Sequence, residues 1–313
     1  MTARARRTAG GPLGTLRRWG TLIGGGASHR SRAIETSRAI RRPLPLTGRI
    51  LVAPTAPRAG ATTVALLLSS LIARERRRPG LLISASTGPR SAADLLPYST
   101  DIADMPAARA PRTVAQTIEA LGSGPDGLLS CLRLSEEAHD PDALMRSWTR
   151  AQHDYLRFFD TAVTETGTAE ALGPALLDLH GRHHSTILVS PAQRTDMERG
   201  RELAARLLAD ARGKRGALLH VVVATRPGYP LVPEPGPGES LVPFDHSLAG
   251  NGDSVPAPGL LDPLTSRVIA DVAATSISGC IAALSRRSRR ALASGNGLSD
   301  RDWLLPAFGR VSP

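Results

Sequence analysis

The stretch Thr55-Ala56-Pro57-Arg58-Ala59-Gly60-Ala61-Thr62-Thr63 carries the residue types best suited to chemistry on a phosphate. A glycine followed by two hydroxyls stands between a β-branched apolar run and a helical period. Backbone N–H groups at such a helix start point outward, so an anion placed there meets donors and the positive end of the helix dipole. Arg58 supplies the loop's positive charge, and Pro57 brings no N–H at all. His180, His183 and His184 form a second group. They could hold a metal, but no carboxylate or cysteine stands at ligand spacing beside them, so the spacing favours surface histidines. Cys131 and Cys280 lie in no metal-ligand or C-x-x-C pattern and read as buried small apolar residues of a reducing compartment.

The elements that position the loop follow from hydrophobic period. Arg49 to Pro54 reads as a strand, Ala61 to Arg76 as a helix, and Leu81 to Ala85 as a second strand after Pro79-Gly80. This is a β-α-β unit with a parallel pair and a right-handed crossover. The same rhythm continues. Short helices are expected at Ser91–Leu96 and Arg112–Leu121, a strand at Leu128–Leu134, and a helix at Pro141–Leu156 with Asp140 as N-cap. A strand follows at Phe158–Thr164, then a helix at Ala169–His180, a strand at Ser185–Ser190, a helix at Arg194–Ala211 and strands at Ala217–Ala224 and Leu241–Pro243. The fold class is therefore α/β, a doubly wound, mostly parallel sheet of six to eight strands. A long helix is expected from Thr265 to Ala293.

The net charge of +11 is concentrated at one end. Residues 1–49 hold eleven arginines against the single acid Glu35, which leaves the remaining chain at +1. Residues 1–34 read as a basic, mobile tail, 35–293 as the α/β domain and 294–313 as a C-terminal tail. The basic tail suits nucleic acid, an anionic membrane surface or an acidic protein partner, or is a solvated leader with no ligand. A second basic cluster, Arg286 to Arg290, either complements the helix dipole or makes another anionic contact. No run of about twenty apolar residues and no secretory signal is seen, so a cytoplasmic protein with at most peripheral membrane contact is expected. The use of arginine over lysine, with abundant Ala, Gly and Pro, suggests a GC-rich, actinobacterial type of genome.

The loop resembles the deviant phosphate-binding loop of the MinD/ParA ATPases, K-G-G-x-G-K-T-T, aligned on Ala56 to Thr63. Gly60, Thr62 and Thr63 match. Ala61 stands where the phosphate-contacting lysine is expected and Ala56 at the signature lysine, while the one lysine of the chain, Lys214, is remote. A planar guanidinium is a poor geometric replacement for a compact ammonium, so Arg58 fills that gap badly. Further segments follow in the family's order. Asp160 to Thr168 is similar to "Y-D-x-V-V-x-D-T-G-T", with Glu165 at the acidic position that orients magnesium or the attacking water. Glu165 alternatively caps the helix beginning near Thr168. Ser84-Ala85-Ser86 replaces an Asp-x-Asp/Asn pair, and Ser190-Pro191-Ala192 resembles the "L-V-x-P-A" turn. Val242 to Leu248 looks like "I-P-Y/F-D-x-x-L", which places Pro243 and Asp245 beside a nucleotide base. Arg41 to Gly48 is similar to the segment preceding the first strand in MinD-like proteins that accompany type VII (ESX-like) secretion.

The resemblance implies ATP and magnesium as cofactors, contacted by Arg58, Gly60, Ala61, Thr62 and Thr63, with Thr62 on the metal and Glu165 as the catalytic carboxylate. Three functions are carried forward. The first is a degenerate accessory or regulatory module with no or weak ATP binding and a protein partner in the secretion machinery. The second is a slow ATPase that dimerises on nucleotide, and the third is a ParA-like DNA-associated protein.

Overall fold

A computed structural model of the chain describes residues 27–86, 91–105, 111–134, 140–210, 216–228, 230–249 and 260–293. The basic residues before 27, and the tail after 293, lie outside the described residues, as do the prolines and glycines of 250–259. Eight strands form one sheet in the order β3-β4-β2-β5-β1-β6-β7-β8, and every pairing is parallel. They are β1 (Gly48–Pro54), β2 (Gly80–Ala85), β3 (Ser99–Asp101), β4 (Leu129–Arg133), β5 (Thr161–Thr166), β6 (Ser185–Pro191), β7 (Ala217–Val223) and β8 (Glu239–Val242).

Helices cover both faces of the sheet, as the near-continuous apolar runs of a parallel sheet require. One face packs under α1 (Ala27–Arg41), α2 (Ala61–Arg76) and α10 (Pro263–Ala293), through Ile40, Leu68, Ile72, Ile269, Ala273 and Ile277. The other packs under α5 (Pro141–Asp154), α7 (Pro174–Arg182) and α8 (Arg194–Asp210), where Leu144, Trp148, Leu176, Leu179 and Leu207 are buried. Alternate residues of β1 serve the two layers, Ile50 and Val52 one and Leu51 and Ala53 the other. Shorter helices α3 (Ala92–Leu95), α4 (Val114–Leu121), α6 (Ala169–Leu172) and α9 (His246–Ala249) close the connections.

Several boundaries depart from the sequence reading for local reasons. α1 begins at Ala27, well before Glu35. The strand expected from Phe158 starts only at Thr161, because Leu156–Phe158 is a 3-10 turn. Thr47 Oγ1 pins it by donating to the Leu156 and Phe159 carbonyls at 2.9 and 2.8 Å. The single helix expected over Ala169–His180 is split into α6 and α7 at Gly173, whose φ of 50° is followed by Pro174, a residue that cannot donate to a continuing helix. The edge strand β3 was not anticipated. α10 has the length and composition of a membrane-crossing helix, yet Val272, Ile277, Cys280 and Leu284 are buried against the sheet and its helices.

Candidate functional site

β1 delivers the chain to the C-terminal edge of the sheet, where Thr55 to Gly60 turn it into α2. Two residues of the turn have left-handed backbone, Arg58 at φ 59° and Gly60 at φ 86°. Glycine accepts that conformation without strain, whereas arginine does so at a cost. Gly60 also needs its missing side chain: a Cβ there would lie 3.3 Å from Val223 Cγ1. The first intrahelical bond of α2 runs from Val64 N to Gly60 O at 3.0 Å, and no side chain caps the helix at Gly60. The backbone thus keeps the form of an anion-binding turn, with Arg58 exposed, Ala59 and Ala61 buried, and Thr62 and Thr63 half-buried.

Glu165 lies beside this turn. It ends the central strand β5, in register with Val52 of β1 and Ser84 of β2. Thr62 Oγ1 donates to its Oε1, while Oε2 accepts from Ala92 N at 2.9 Å and from Ser84 Oγ at 3.3 Å. Burial raises the Glu165 pKa, against the opposing effect of the donors Thr62, Ala92 and Ser84. The helix-cap alternative is corrected here: Thr168 caps α6, accepting from Ala171 N, and Glu165 faces the opposite way. Ser84 joins Glu165 by its hydroxyl. Its position near the end of β2 was legible, but its role as a donor to the buried carboxylate was not.

Pro243 and Asp245 sit at the same edge of the sheet but beyond β8, three strands from β1, or about 14 Å at ordinary strand spacing. Asp245 is buried. It accepts from Ser247 N (2.9 Å), Ser247 Oγ (2.7 Å) and Asp262 N (2.8 Å), which ties α9 to the start of α10. Burial pushes its carboxyl up, and these hydrogen bonds outweigh burial to hold it below the usual range.

The three histidines are buried, which corrects the expectation of surface residues. His180 Nδ1 meets Thr186 Oγ1 at 2.8 Å. His183 bridges the Leu179 carbonyl (2.6 Å) and Thr164 Oγ1 (2.9 Å), and His184 Nδ1 accepts from Arg49 N. His183 is satisfied at both ring nitrogens, whereas His180 Nε2 is buried without a hydrogen-bond partner, and the described residues hold no cluster of three metal-ligating side chains.

A further arrangement has the wiring of a serine-histidine-carboxylate triad. Ser190 Oγ lies 2.8 Å from His220 Nε2, and His220 Nδ1 lies 3.1 Å from Glu239 Oε1, which Arg201 also holds. Ser190 is fully buried, and the α8 backbone seals it: a Cβ on Gly200 would come within 2.6 Å of Ser190 Oγ. No substrate carbonyl can reach that hydroxyl, so the group is a buried polar chain that starts at Thr55 Oγ1, 2.7 Å from Ser190 Oγ.

Phosphate and magnesium can be tested against these side chains. The turn's backbone suits a phosphate. The residues that would work on it do not: a buried methyl stands at position 61, the Thr62 hydroxyl is bound to Glu165, and Ser84 offers no charge for a divalent cation.

No protein-family model and no curated protein sequence matches the chain. Among solved structures it is similar to the ParA family ATPase from Chlorobium tepidum TLS, with 16% identity over 72% of this chain and 98% of that one and a TM-score of 0.51. It is also similar to the cell division ATPase MinD of Pyrococcus furiosus, with 14% identity, 74% and 99% of the two chains covered and a TM-score of 0.49. At such identity the likeness to the ParA family ATPase establishes the fold, that of a MinD/ParA-type P-loop NTPase.

Proposed function

We propose that this chain is a degenerate form of the MinD/ParA-type ATPase that works as an accessory or regulatory module by docking on a protein partner. The observation that carries the reading is Ala61, buried at the first residue of α2. A methyl group there offers no charge to a transferring phosphate, where phosphate loops normally place a lysine. Arg58 is exposed in a strained left-handed conformation, which leaves its guanidinium unanchored for that task. The segment Arg41 to Gly48 supports a setting beside type VII secretion, and the arginine-rich N-terminal residues support an acidic partner or anionic surface on the cytoplasmic side.

The loop backbone and the retained Glu165 carboxylate favour a second reading, a slow ATPase in which Arg58 meets the phosphate charge and nucleotide promotes a homodimer. Isothermal titration of ATP and ADP, with and without magnesium, into the full chain separates the two. The degenerate reading expects no heat up to millimolar nucleotide from folded protein. Micromolar binding that disappears in Arg58→Ala would overturn it.

A further inference from the structure

Three connections meet at the N-terminal edge of the sheet, opposite the phosphate-type turn: residues 42–47 ahead of β1, 77–79 ahead of β2 and 155–160 ahead of β5. β2, β5 and β1 are neighbours, so the three loops span about 10 Å. Hydrogen bonds tie them together. Gly48 N donates to the Asp160 carbonyl and Asp160 N to the Pro79 carbonyl, both at 3.0 Å. Thr47 Oγ1 holds the 3-10 turn, and Arg76 Nη1 donates to the Arg42 carbonyl at 2.6 Å while Nε and Nη2 grip the Asp160 carboxylate. The surface is therefore fixed in shape before any ligand arrives.

Its outward side chains are of two kinds. Arg42, Arg77, Arg78 and Arg157 are exposed, and the one acid of the three loops, Asp160, is already met by the buried Arg76. Among the described residues none of the four is paired with a carboxylate; Arg157 lies 4.7 Å over the Phe158 ring and donates to the Pro111 carbonyl. Helix-end carbonyls do not claim the other side chains. The backbone N–H groups of Arg77 and Arg78 donate to the Arg74 and Ala73 carbonyls at the end of α2, and Arg76 serves the end of α1. Apolar groups stand among these charges. Pro43 and Pro45 are exposed and Leu46 is 41% exposed, whereas Leu44 packs on the core. The prolines fix φ and confine Arg42 and Leu44 to extended backbone, and Thr47 is pinned, so the segment has little freedom to fold Leu46 inward.

We propose that this edge is a docking surface for an anionic lipid bilayer, with Leu46 and its flanking prolines entering the headgroup layer and Arg42, Arg77, Arg78 and Arg157 meeting lipid phosphates. Arginines around an exposed apolar tip match the two layers such a surface presents, anionic headgroups over acyl chains. A nucleic-acid backbone would use the charges and leave Leu46 idle. The surface is separate from the arginines before residue 27, and the inference does not rest on the nucleotide reading.

The test is co-sedimentation of the full chain with vesicles of mixed phosphatidylglycerol and phosphatidylcholine, against phosphatidylcholine alone, at about 0.1 M salt. Wild type should bind the anionic vesicles and not the neutral ones. Leu46→Asp should weaken binding about tenfold or more, since it removes an inserted apolar side chain and adds a charge of the wrong sign. Arg77→Gly combined with Arg78→Ala should weaken it about 25-fold, at about fivefold for each charge near the surface. That pair preserves the fold, because Arg77 has a left-handed backbone, φ 52°, which glycine adopts more readily. Equal binding to neutral vesicles, or no binding at all, overturns the proposal. Binding that Leu46→Asp leaves at wild-type strength overturns it too, because charge alone, from residues 1–26 or from these arginines, would then account for it. Retention of duplex DNA that the arginine variant loses, without vesicle binding, would assign the surface to nucleic acid instead.

Discussion

His183 donates from Nδ1 to the Leu179 carbonyl and accepts on Nε2 from the Thr164 hydroxyl, so protonation would set a ring N–H against that hydroxyl and place a charge in the core. Burial is the main cause of its lowered pKa, about 3, as it is for His184. Both rings are neutral when folded and titrate near 6.5 when released. Between those values the unfolded chain holds more protons, so stability is complete above about pH 6.5 and falls as pH drops toward 3. At about pH 5.5 each ring should cost about 1.4 kcal/mol, or about 3 kcal/mol for the pair. Urea midpoints at about pH 7.5 and about pH 5.5 measure this together with the smaller share of the buried His180 and His220, and His183→Gln should reduce the difference by about 1.4 kcal/mol. An unchanged pH dependence in that variant would mean the ring is not held neutral.

Among the described residues, one arginine–carboxylate pair that joins elements is well buried on both sides. Arg76, in the last turn of α2, pairs with Asp160 ahead of β5, its Nη2 donating to Oδ1 at 3.1 Å, while Nη1 donates to the Ile40 and Arg42 carbonyls at the end of α1. Its side chain is 4% exposed, against 57% for Arg41, which pairs with Glu75. Arg76→Ala strands Asp160 and two carbonyls and should cost about 3–5 kcal/mol in urea unfolding, whereas Arg41→Ala should cost under about 1 kcal/mol. Asp160 also illustrates what the sequence could convey. Its place in an ordered motif was legible, but its partner lies 84 residues away and leaves no local trace. The β1-α2-β2 unit was legible because a β-branched run, a glycine turn and a helical period stand next to one another. The edge strand β3, Ser-Thr-Asp, was not, since three polar residues show no period and pair only through their backbone. The histidines were misplaced because hydrogen bonds from Thr164, Thr186 and the Arg49 backbone make polar burial affordable, and no local pattern announces partners supplied by other strands.

For the whole molecule the decisive element is α10. By length and composition alone it could cross a membrane; by packing it is the lid on one side of the sheet, touching α1, α2, β1, β7 and β8. The two readings differ in what its apolar side chains do in water. Ile277 is fully buried and Ile269 nearly so, while Leu264 is 52% exposed. If α10 closes the core, Ile277→Ala removes packed methyl groups and should cost about 2–5 kcal/mol in chemical denaturation without detergent. Leu264→Ala should change stability by less than about 0.5 kcal/mol, because its side chain already meets solvent. A helix held in lipid would reverse this economy: apolar groups facing acyl chains gain little from one another, and neither substitution would move an unfolding midpoint measured in buffer. The same face carries the argument for one cooperative unit. Ile277 and Cys280 pack in the layer that also holds Val52, Ala59 and Ala61, so loss of α10 contacts should loosen the phosphate-type turn as well. Hydrogen exchange at the amides of residues 59–64 should therefore accelerate in Ile277→Ala in step with its global destabilisation, and exchange at those amides that stays at the wild-type rate would show that the turn is held by β1 and α2 alone.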